Sequence, residues 1–437
     1  MRIVVAHNRY REAQPSGENI IVDSEIAQLT AAGVEVLPFI RSSDEIPSMS
    51  KAAKALLPIS PIWAPRAQHD LSRLLTEHRP DVLHLHNPYP LISPWVVRTA
   101  HRHGVPVVQT VHNYRQVCSS GIYFRDGVIC QDCKGRALGV PAIKHRCYRD
   151  SAAQSALMAT TLAVHRGTWR SVDRYVALTS AIADHLRDYG IPDERIVVKP
   201  NSVPDPGQPS PLGDGFLYMA RLSPEKGLDL LLDAWRRHPV GALGTLRVAG
   251  DGELRPLVES AAAERSDVVY LGQIDRAGVR AAVEASAVVI AASMWHDVLP
   301  TVILEALASG RPVLGTALGG IPYLVGADAP HEPAGTGPAE NASAVASPVA
   351  SEVASLATSR VAGGGSPMPA GIGLGDAGWV VAPEPAALAA ALPVARAGAP
   401  GLAAGARARY ERTFHPDVVI KQLIDIYAGV ARTSARA

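Results

Sequence analysis

Apolar runs of four to six residues alternate with longer amphipathic stretches from one end of the chain to the other. Runs that short and rich in Val, Ile and Leu read as strands buried on both faces, which is the property of parallel strands covered by helices. The chain is therefore expected to fold as repeated βα units of the α/β class. A first series of strands falls at Ile3 to Ala6, Val34 to Phe39, Val82 to His86, Val105 to Thr110, Arg174 to Leu178 and Ile196 to Lys199. The segment Asn201-Ser-Val-Pro-Asp-Pro-Gly-Gln-Pro-Ser-Pro211 then breaks the pattern, because its prolines and glycines support neither a helix nor a central strand. A second series follows at Phe216 to Ala220, Thr245 to Ala249, Val268 to Leu271, Ala287 to Ala291, Pro312 to Gly315 and Gly378 to Val381. Two doubly wound domains are expected, over 1–204 and 205–414, with a final helix over 415–437 whose apolar residues Val419, Leu423 and Tyr427 recur at helical spacing. A length of 437 residues suits two such domains. The stretch at about 326–376 is nearly all Ala, Gly, Pro, Ser and Val without a period, and reads as a disordered or loosely packed insertion.

Charge narrows the function. A formal net charge of +1 with 19% charged residues excludes a polybasic nucleic-acid binder. Residues 112–174 nonetheless carry ten Lys or Arg against four acids, a local patch open to anionic lipid or a phosphorylated substrate; the alternative is a solvated face. The opening strand is no secretory signal and no apolar run of about 20 residues is present, so the expected location is cytoplasmic, with peripheral contact at the inner face of the cell membrane.

Two segments carry chemistry. In Phe216-Leu-Tyr-Met-Ala-Arg-Leu-Ser-Pro-Glu-Lys-Gly-Leu-Asp-Leu230 a strand runs into Arg221, Ser223 and Pro224 form a turn and helix cap, and Lys226 stands at the mouth of the next helix. Ligands of open parallel sheets bind beyond the carboxyl ends of the strands, and helix N-termini attract anions, so Arg221 and Lys226 are placed to hold a diphosphate. Farther on, Ala292-Ser-Met-Trp-His-Asp-Val-Leu-Pro-Thr-Val-Ile-Leu-Glu-Ala-Leu-Ala-Ser-Gly-Arg-Pro-Val313 places Asp297 in a loop and Glu305 one turn inside a helix. Asp297 suits sugar hydroxyls or a capping role. Glu305 suits a ribose diol, and the N–H groups of Thr301 and Val302 face an anion.

Together these segments resemble the family 4 retaining glycosyltransferases of the GT-B fold. The resemblance rests on Ala220-Arg-Leu-Ser-Pro-Glu-Lys-Gly227, on Gly250-Asp-Gly252 after a strand, and on the Asp297 to Glu305 pair followed by Ala306-Leu-Ala-Ser-Gly-Arg-Pro-Val313. It covers nearly the whole chain outside the Ala/Gly/Pro-rich insertion. The family pattern has Glu at both ends of that pair, whereas this chain has Asp297 first, one methylene shorter. The resemblance implies two Rossmann-like domains facing across a cleft, a last helix crossing back, and an enzyme. Its reaction would move a hexose from a UDP- or GDP-sugar to a hydroxyl of a glycan, glycolipid or lipid-linked acceptor in surface polysaccharide or cell-envelope assembly. The catalytic set would be His112, Arg221, Lys226, Asp297 and Glu305, and the donor-binding set Gly17, Arg221, Lys226, Gly250, Thr301, Val302 and Glu305. Gly17 lies in Pro15-Ser-Gly-Glu18, where a glycine backbone meets the donor phosphates, and His112 lies in Thr110-Val-His-Asn-Tyr114. His84, His86 and Asn87 would line the acceptor side. No catalytic cofactor or catalytic metal is implied.

All four cysteines fall between 118 and 147, as Cys118-x11-Cys130-x2-Cys133-x13-Cys147, inside a basic, turn-rich excursion over 115–149. This spacing fits a structural zinc; a redox pair or simple reduced thiols are the other readings. Two further functions compete with the transferase, a nucleotide-sugar epimerase of the same fold and a non-catalytic nucleotide-sugar-binding scaffold.

Overall fold

The computed structural model describes residues 1–12, 17–327 and 370–434. They form two compact units, Met1–Ser202 with Phe414–Ala437, and Val203–Thr413. The first unit is built on β1 (Arg2–Arg9), β2 (Glu35–Ser42), β3 (Val82–Leu85), β4 (Val107–Val111), a small hairpin of β5 (Phe124–Arg125) and β6 (Val128–Ile129), β7 (Arg174–Ala177) and β8 (Ile196–Val198). Six of these strands lie parallel in the order β2-β1-β3-β4-β7-β8. Their side chains are apolar on both faces because helices cover both; Ile3, Val5, Val82, Val108 and Val176 are buried together with Val22 and Leu29 of the helix Gly17–Ala31. The last helix, Pro416–Ser434, completes that core with Leu423, Tyr427 and Val430. Each such side chain contributes about 1.5–3 kcal/mol on leaving water.

The second unit holds β9 (Phe216–Met219), β10 (Leu246–Ala249), β11 (Val268–Gly272), β12 (Val288–Ala291), β13 (Val313–Thr316), β14 (Ile372–Leu374) and β15 (Gly378–Val381). The order is β11-β10-β9-β12-β13-β15-β14, parallel except for the pairing of β14 with β15. Leu228, Leu231, Leu232 and Trp235 of the helix Leu228–Arg236 pack onto this sheet, and Leu388, Leu392 and Ala395 of the helix Pro385–Arg409 close the core.

Most of the expected insertion at 326–376 lies outside the described residues, but its two edges correct the expectation. At one edge the helix Ile321–Val325 ends on Gly326 in the left-handed conformation, and at the other β14 pairs with β15. Small residues there serve caps and close sheet packing. The expected absence of a long apolar run is corrected as well. The helical stretch Pro385–Thr433 contains a window apolar enough, by length and composition, to cross a membrane. Within it Leu388, Ala391, Leu392, Ala395 and Ala399 pack on the second core, and Leu423, Tyr427 and Val430 on the first.

Candidate active site

In each sheet the chain reverses its direction of growth at one place, between β1 and β3 in the first and between β9 and β12 in the second. Loops leaving the carboxyl ends of these strand pairs diverge and open a crevice, the usual ligand site of such sheets. The sequence-derived residues gather at both places.

In the second unit, β9 leads to Arg221 and a single 3-10 turn, Pro224–Lys226, before Gly227 starts the next helix. Gly227 has φ 72°, and a Cβ there would lie 1.9 Å from the carbonyl of Ala292. Only glycine lets the two loops touch, and the Met294 N–H donates to the Glu225 carbonyl at 2.9 Å across the same contact. That contact brings Lys226 Nζ to 2.5 Å from Asp297 Oδ2 and 5.3 Å from the centre of the Trp295 ring. Asp297 is buried and also accepts from Ser293 Oγ at 3.2 Å. Where the sequence suggests a loop carboxylate free for sugar hydroxyls, the structure has Asp297 holding Lys226.

Arg221 is different. Its side chain is 72% exposed and meets Glu225 at 3.3 Å, a surface pair of small energetic weight that leaves the guanidinium ready to change partner. Ser223 does not cap the turn with its side chain; its hydroxyl donates to Glu225 instead. Thr301 and Val302 open the helix Thr301–Ala308, which has no side-chain cap on its first N–H groups. Glu305 stands inside that helix. Burial raises its carboxyl to about 7, against a smaller opposing pull from Arg276. Gly250 has φ 127°, and a Cβ there would lie 1.9 Å from the Ala220 carbonyl. Its glycine is thus required to seat the loop after β10 against the strand end that carries Arg221.

In the first unit, His7 of β1, His86 after β3 and His112 after β4 stand at neighbouring strand ends. His86 Nδ1 lies 2.9 Å from His112 Nε2, and His86 Nε2 lies 3.2 Å from Glu25 Oε1. Burial raises the Glu25 carboxyl, but Lys199 Nζ at 3.2 Å and His84 more than offset this and hold it well below the usual carboxylate range. Burial, then the neighbouring histidines His86 and His7, hold His112 well below the usual imidazole range. His112 shares one hydrogen bond with His86, in which one ring nitrogen donates and the other accepts. A cavity beside it is lined by Glu18, His86, Asn87, His112, Asn113 and Arg115, among others.

The acceptor-side expectation divides here. His86 and Asn87 line this cavity, although the Asn87 amide is occupied with the backbone of Asn8 and Tyr89. His84 is corrected to a core residue: it is fully buried, with Nε2 2.8 Å from Thr110 Oγ1 and Nδ1 2.6 Å from the Tyr427 hydroxyl. Gly17 is the first residue of its helix, and a Cβ there would meet nothing within 4 Å, so packing within the chain does not require glycine at this place. Pro15 and Ser16 lie outside the described residues. Sequence reasoning missed Glu18, Glu25 and Lys199. Burial pushes the Glu18 carboxyl up to about 7, opposed by Arg115. Glu25 carried a readable signal, since it falls with Ile21, Val22 and Leu29 on the buried stripe of its helix, where a carboxylate requires a partner.

Residues 16–202 match the model of the glycosyl transferase 4-like domain, and residues 213–351 match that of glycosyl transferases group 1. The chain is 25% identical over 273 residues to the phosphatidyl-myo-inositol mannosyltransferase of Mycobacterium leprae (strain TN), a match covering 59% of this chain and 60% of that protein, less than two thirds of its length. It is 28% identical over 349 residues to the D-inositol 3-phosphate glycosyltransferase of Frankia alni, covering 70% of this chain and 78% of that one. The crystal structure of Anabaena HepE in complex with UDP has a TM-score of 0.61 at 17% identity, covering 98% of this chain and 100% of that chain. With both domain models matched in order on a GT-B fold, the chain belongs to the glycosyltransferases that join a glycosyl transferase 4-like domain to a glycosyl transferases group 1 domain.

Proposed function

We propose that the protein transfers a hexose, with retention at the anomeric carbon, from a nucleoside diphosphate sugar to a hydroxyl of a glycan, glycolipid or lipid-linked acceptor. The observation that carries this reading is the pair of cations, Arg221 and Lys226, at the carboxyl end of β9, with Lys226 fixed by Asp297. Cleavage of the anomeric C–O bond leaves negative charge on the β-phosphate. Fixed cations and uncapped helix N–H groups stabilise that charge, and each preorganised donor is worth about 2.7–4 kcal/mol of barrier. Asp297 holds Lys226 by one oxygen, so other ammonium protons remain for phosphate. Thr301 and Val302 offer N–H groups to the same charge, Glu305 takes the ribose diol, and Gly17 allows a phosphate close to the backbone. In the first unit, His112 lines the cavity beside His86 and serves a sugar or acceptor hydroxyl. Support for a nucleotide donor comes from Anabaena HepE, whose structures hold UDP or UDP-glucose. The names of the two curated relatives both specify inositol compounds, which agrees with a hydroxyl acceptor.

The test is thermal unfolding with UDP, GDP and ADP in turn, on the wild type, Arg221→Ala and Lys226→Ala. One nucleotide at about 100 times its dissociation constant is expected to add roughly 2.7 kcal/mol to the wild type and much less to either variant. With the matching sugar donor and an acceptor, the wild type should release free nucleoside diphosphate while Lys226→Ala falls by about 10²–10³-fold. Stabilisation by none of the three would remove the reading. Binding with epimerised donor and no transfer would favour the epimerase, and binding without any chemistry the scaffold.

The working place proposed is the cytoplasmic face of the membrane. Leu56, Ile59 and Trp63 are 59%, 52% and 48% exposed at and just after the short helix Lys51–Leu56, which also carries Lys54. Apolar side chains beside lysines suit an anionic bilayer surface. The protein should sediment with vesicles containing anionic phospholipid and not with neutral ones; equal recovery in both supernatants would remove the membrane contact.

A further inference from the structure

The excursion over 115–149, between β4 and the helix Ala152–Val164, has little to hold it. Its regular structure amounts to the two-residue strands β5 and β6 and the five-residue helix Val140–Lys144. Tyr123, Asp126, Arg146, Arg149 and Asp150, none of them glycine, all have φ between 50° and 53°. Left-handed backbone at such residues costs on the order of 1 kcal/mol each and persists only where surrounding contacts over-determine it. A segment this poor in ladders and helices needs a staple from elsewhere.

The cysteines are where such a staple belongs. All four cysteines of the chain lie in this segment, and none is in a disulfide. They come from its four corners, the turn after β4, the end of the β5–β6 hairpin, the Cys130-x2-Cys133 turn and the end of the helix, yet all four line one cavity. Cys130 N–H donates to the Tyr123 carbonyl at 2.8 Å and Cys147 N–H to the Ala142 carbonyl at 3.0 Å, so two of the corners are tied by backbone as well. Four sulfurs around one small cavity make a donor set selective for zinc or an iron–sulfur cluster.

We infer that Cys118, Cys130, Cys133 and Cys147 together bind one structural zinc ion that holds the 115–149 excursion in its fold. Zinc at about 2.3 Å from each sulfur draws the four to about 3.8 Å from one another. The sulfurs are spaced more widely than that, since among the described residues the donor group within 4.8 Å of one another is Glu25, His84 and His86. The histidine group is already served: Lys199 supplies a buried cation 3.2 Å from Glu25. The ion bound by the thiols is a closed structural site, with no position left for substrate.

The experiment uses the full chain, purified under reducing conditions and passed over a chelating resin. Elemental analysis should find about one zinc per chain. Its release on titration with an organomercurial should parallel modification of four thiols. Replacement by Co²⁺ should give the sulfur-to-cobalt charge-transfer band and the intense visible bands of a tetrahedral site. Cys130→Ser should lower the zinc content to under about a tenth per chain after the same washing. If that variant fails to fold, the wild-type metal and thiol counts decide alone. Four freely reactive thiols with no zinc after reconstitution, disulfides found by alkylation and mass spectrometry, or iron with acid-labile sulfide would each overturn the inference.

Discussion

Glu305 shows how one residue changes meaning between sequence and structure. Its place eight residues after Asp297 marks it as a candidate, but the sequence cannot give its protonation state, which depends on solvent removed by distant parts of the fold. In the structure burial raises it to about 7, so near neutrality it is divided between acid and carboxylate. A carboxylate accepts from a ribose diol more strongly than the neutral acid does. Nucleotide affinity should therefore rise from pH 6 to pH 8 as Glu305 ionises. Glu305→Gln should bind about tenfold more weakly at pH 8, in line with the 1.5–3 kcal/mol of a charge-assisted bond, and should lose the pH slope. Isothermal titration at three pH values decides; an unchanged slope in the variant would assign the titration to another group. Arg221 and Lys226 were legible because cations at a strand end are local features. The pairings of Glu25 with Lys199 and of His84 with Tyr427 were not, because 174 and 343 residues separate the partners.

At the scale of elements, the strands of both sheets were legible because a buried parallel strand is a short apolar run whatever its neighbours are. The exceptions have local causes. Ile372-Gly-Leu374 forms β14 in a stretch whose composition reads as loop, and its partner β15 supplies the ladder that propensity does not. The helix Pro385–Arg409 carries Pro393 and Pro400 in its interior, residues that mark breaks when read alone. Leu388, Ala391, Leu392, Ala395 and Ala399 bury one face of it, and tertiary packing of that face outweighs the missing hydrogen bonds. Arg311 shows the same dependence on context. It stands between Gly310 and Pro312, and its side chain is fully buried. Its guanidinium donates to the carbonyls of Ser210, Pro211, Glu284 and Ser309 and to the Ser210 hydroxyl. The Pro-rich segment read as an interdomain linker is thereby fastened to the second unit at its far end, where each unpaired buried carbonyl would cost about 1–3 kcal/mol.

Over the whole molecule the buried ionisable groups set how stability depends on acid. Burial lowers His7, His86, His165 and His185 to about 4, and His112 well below its usual range. Each is neutral in the native state but takes up a proton in the unfolded chain below about pH 6.5. The unfolded state therefore binds more protons between about pH 6.5 and 4, and these five groups make stability rise with pH across that window. Glu18 and Glu305, raised to about 7 by burial, act with the opposite sign, because they keep protons in the native state that the unfolded chain has released above about pH 4.5. Five histidines against two carboxylates leave the histidines in control, and the protein should lose stability on the order of a few kcal/mol per pH unit on acidification below 6. Urea unfolding at pH 7.5, 6.0 and 5.0 checks this: the midpoint should fall with little change in slope. Glu18→Gln removes one opposing group and should make the fall steeper than in the wild type, since glutamine cannot hold the extra native proton. A midpoint that is flat or rises toward pH 5 would mean that the imidazoles remain protonatable in the native state, and would withdraw the neutral state assigned to His86 and His112.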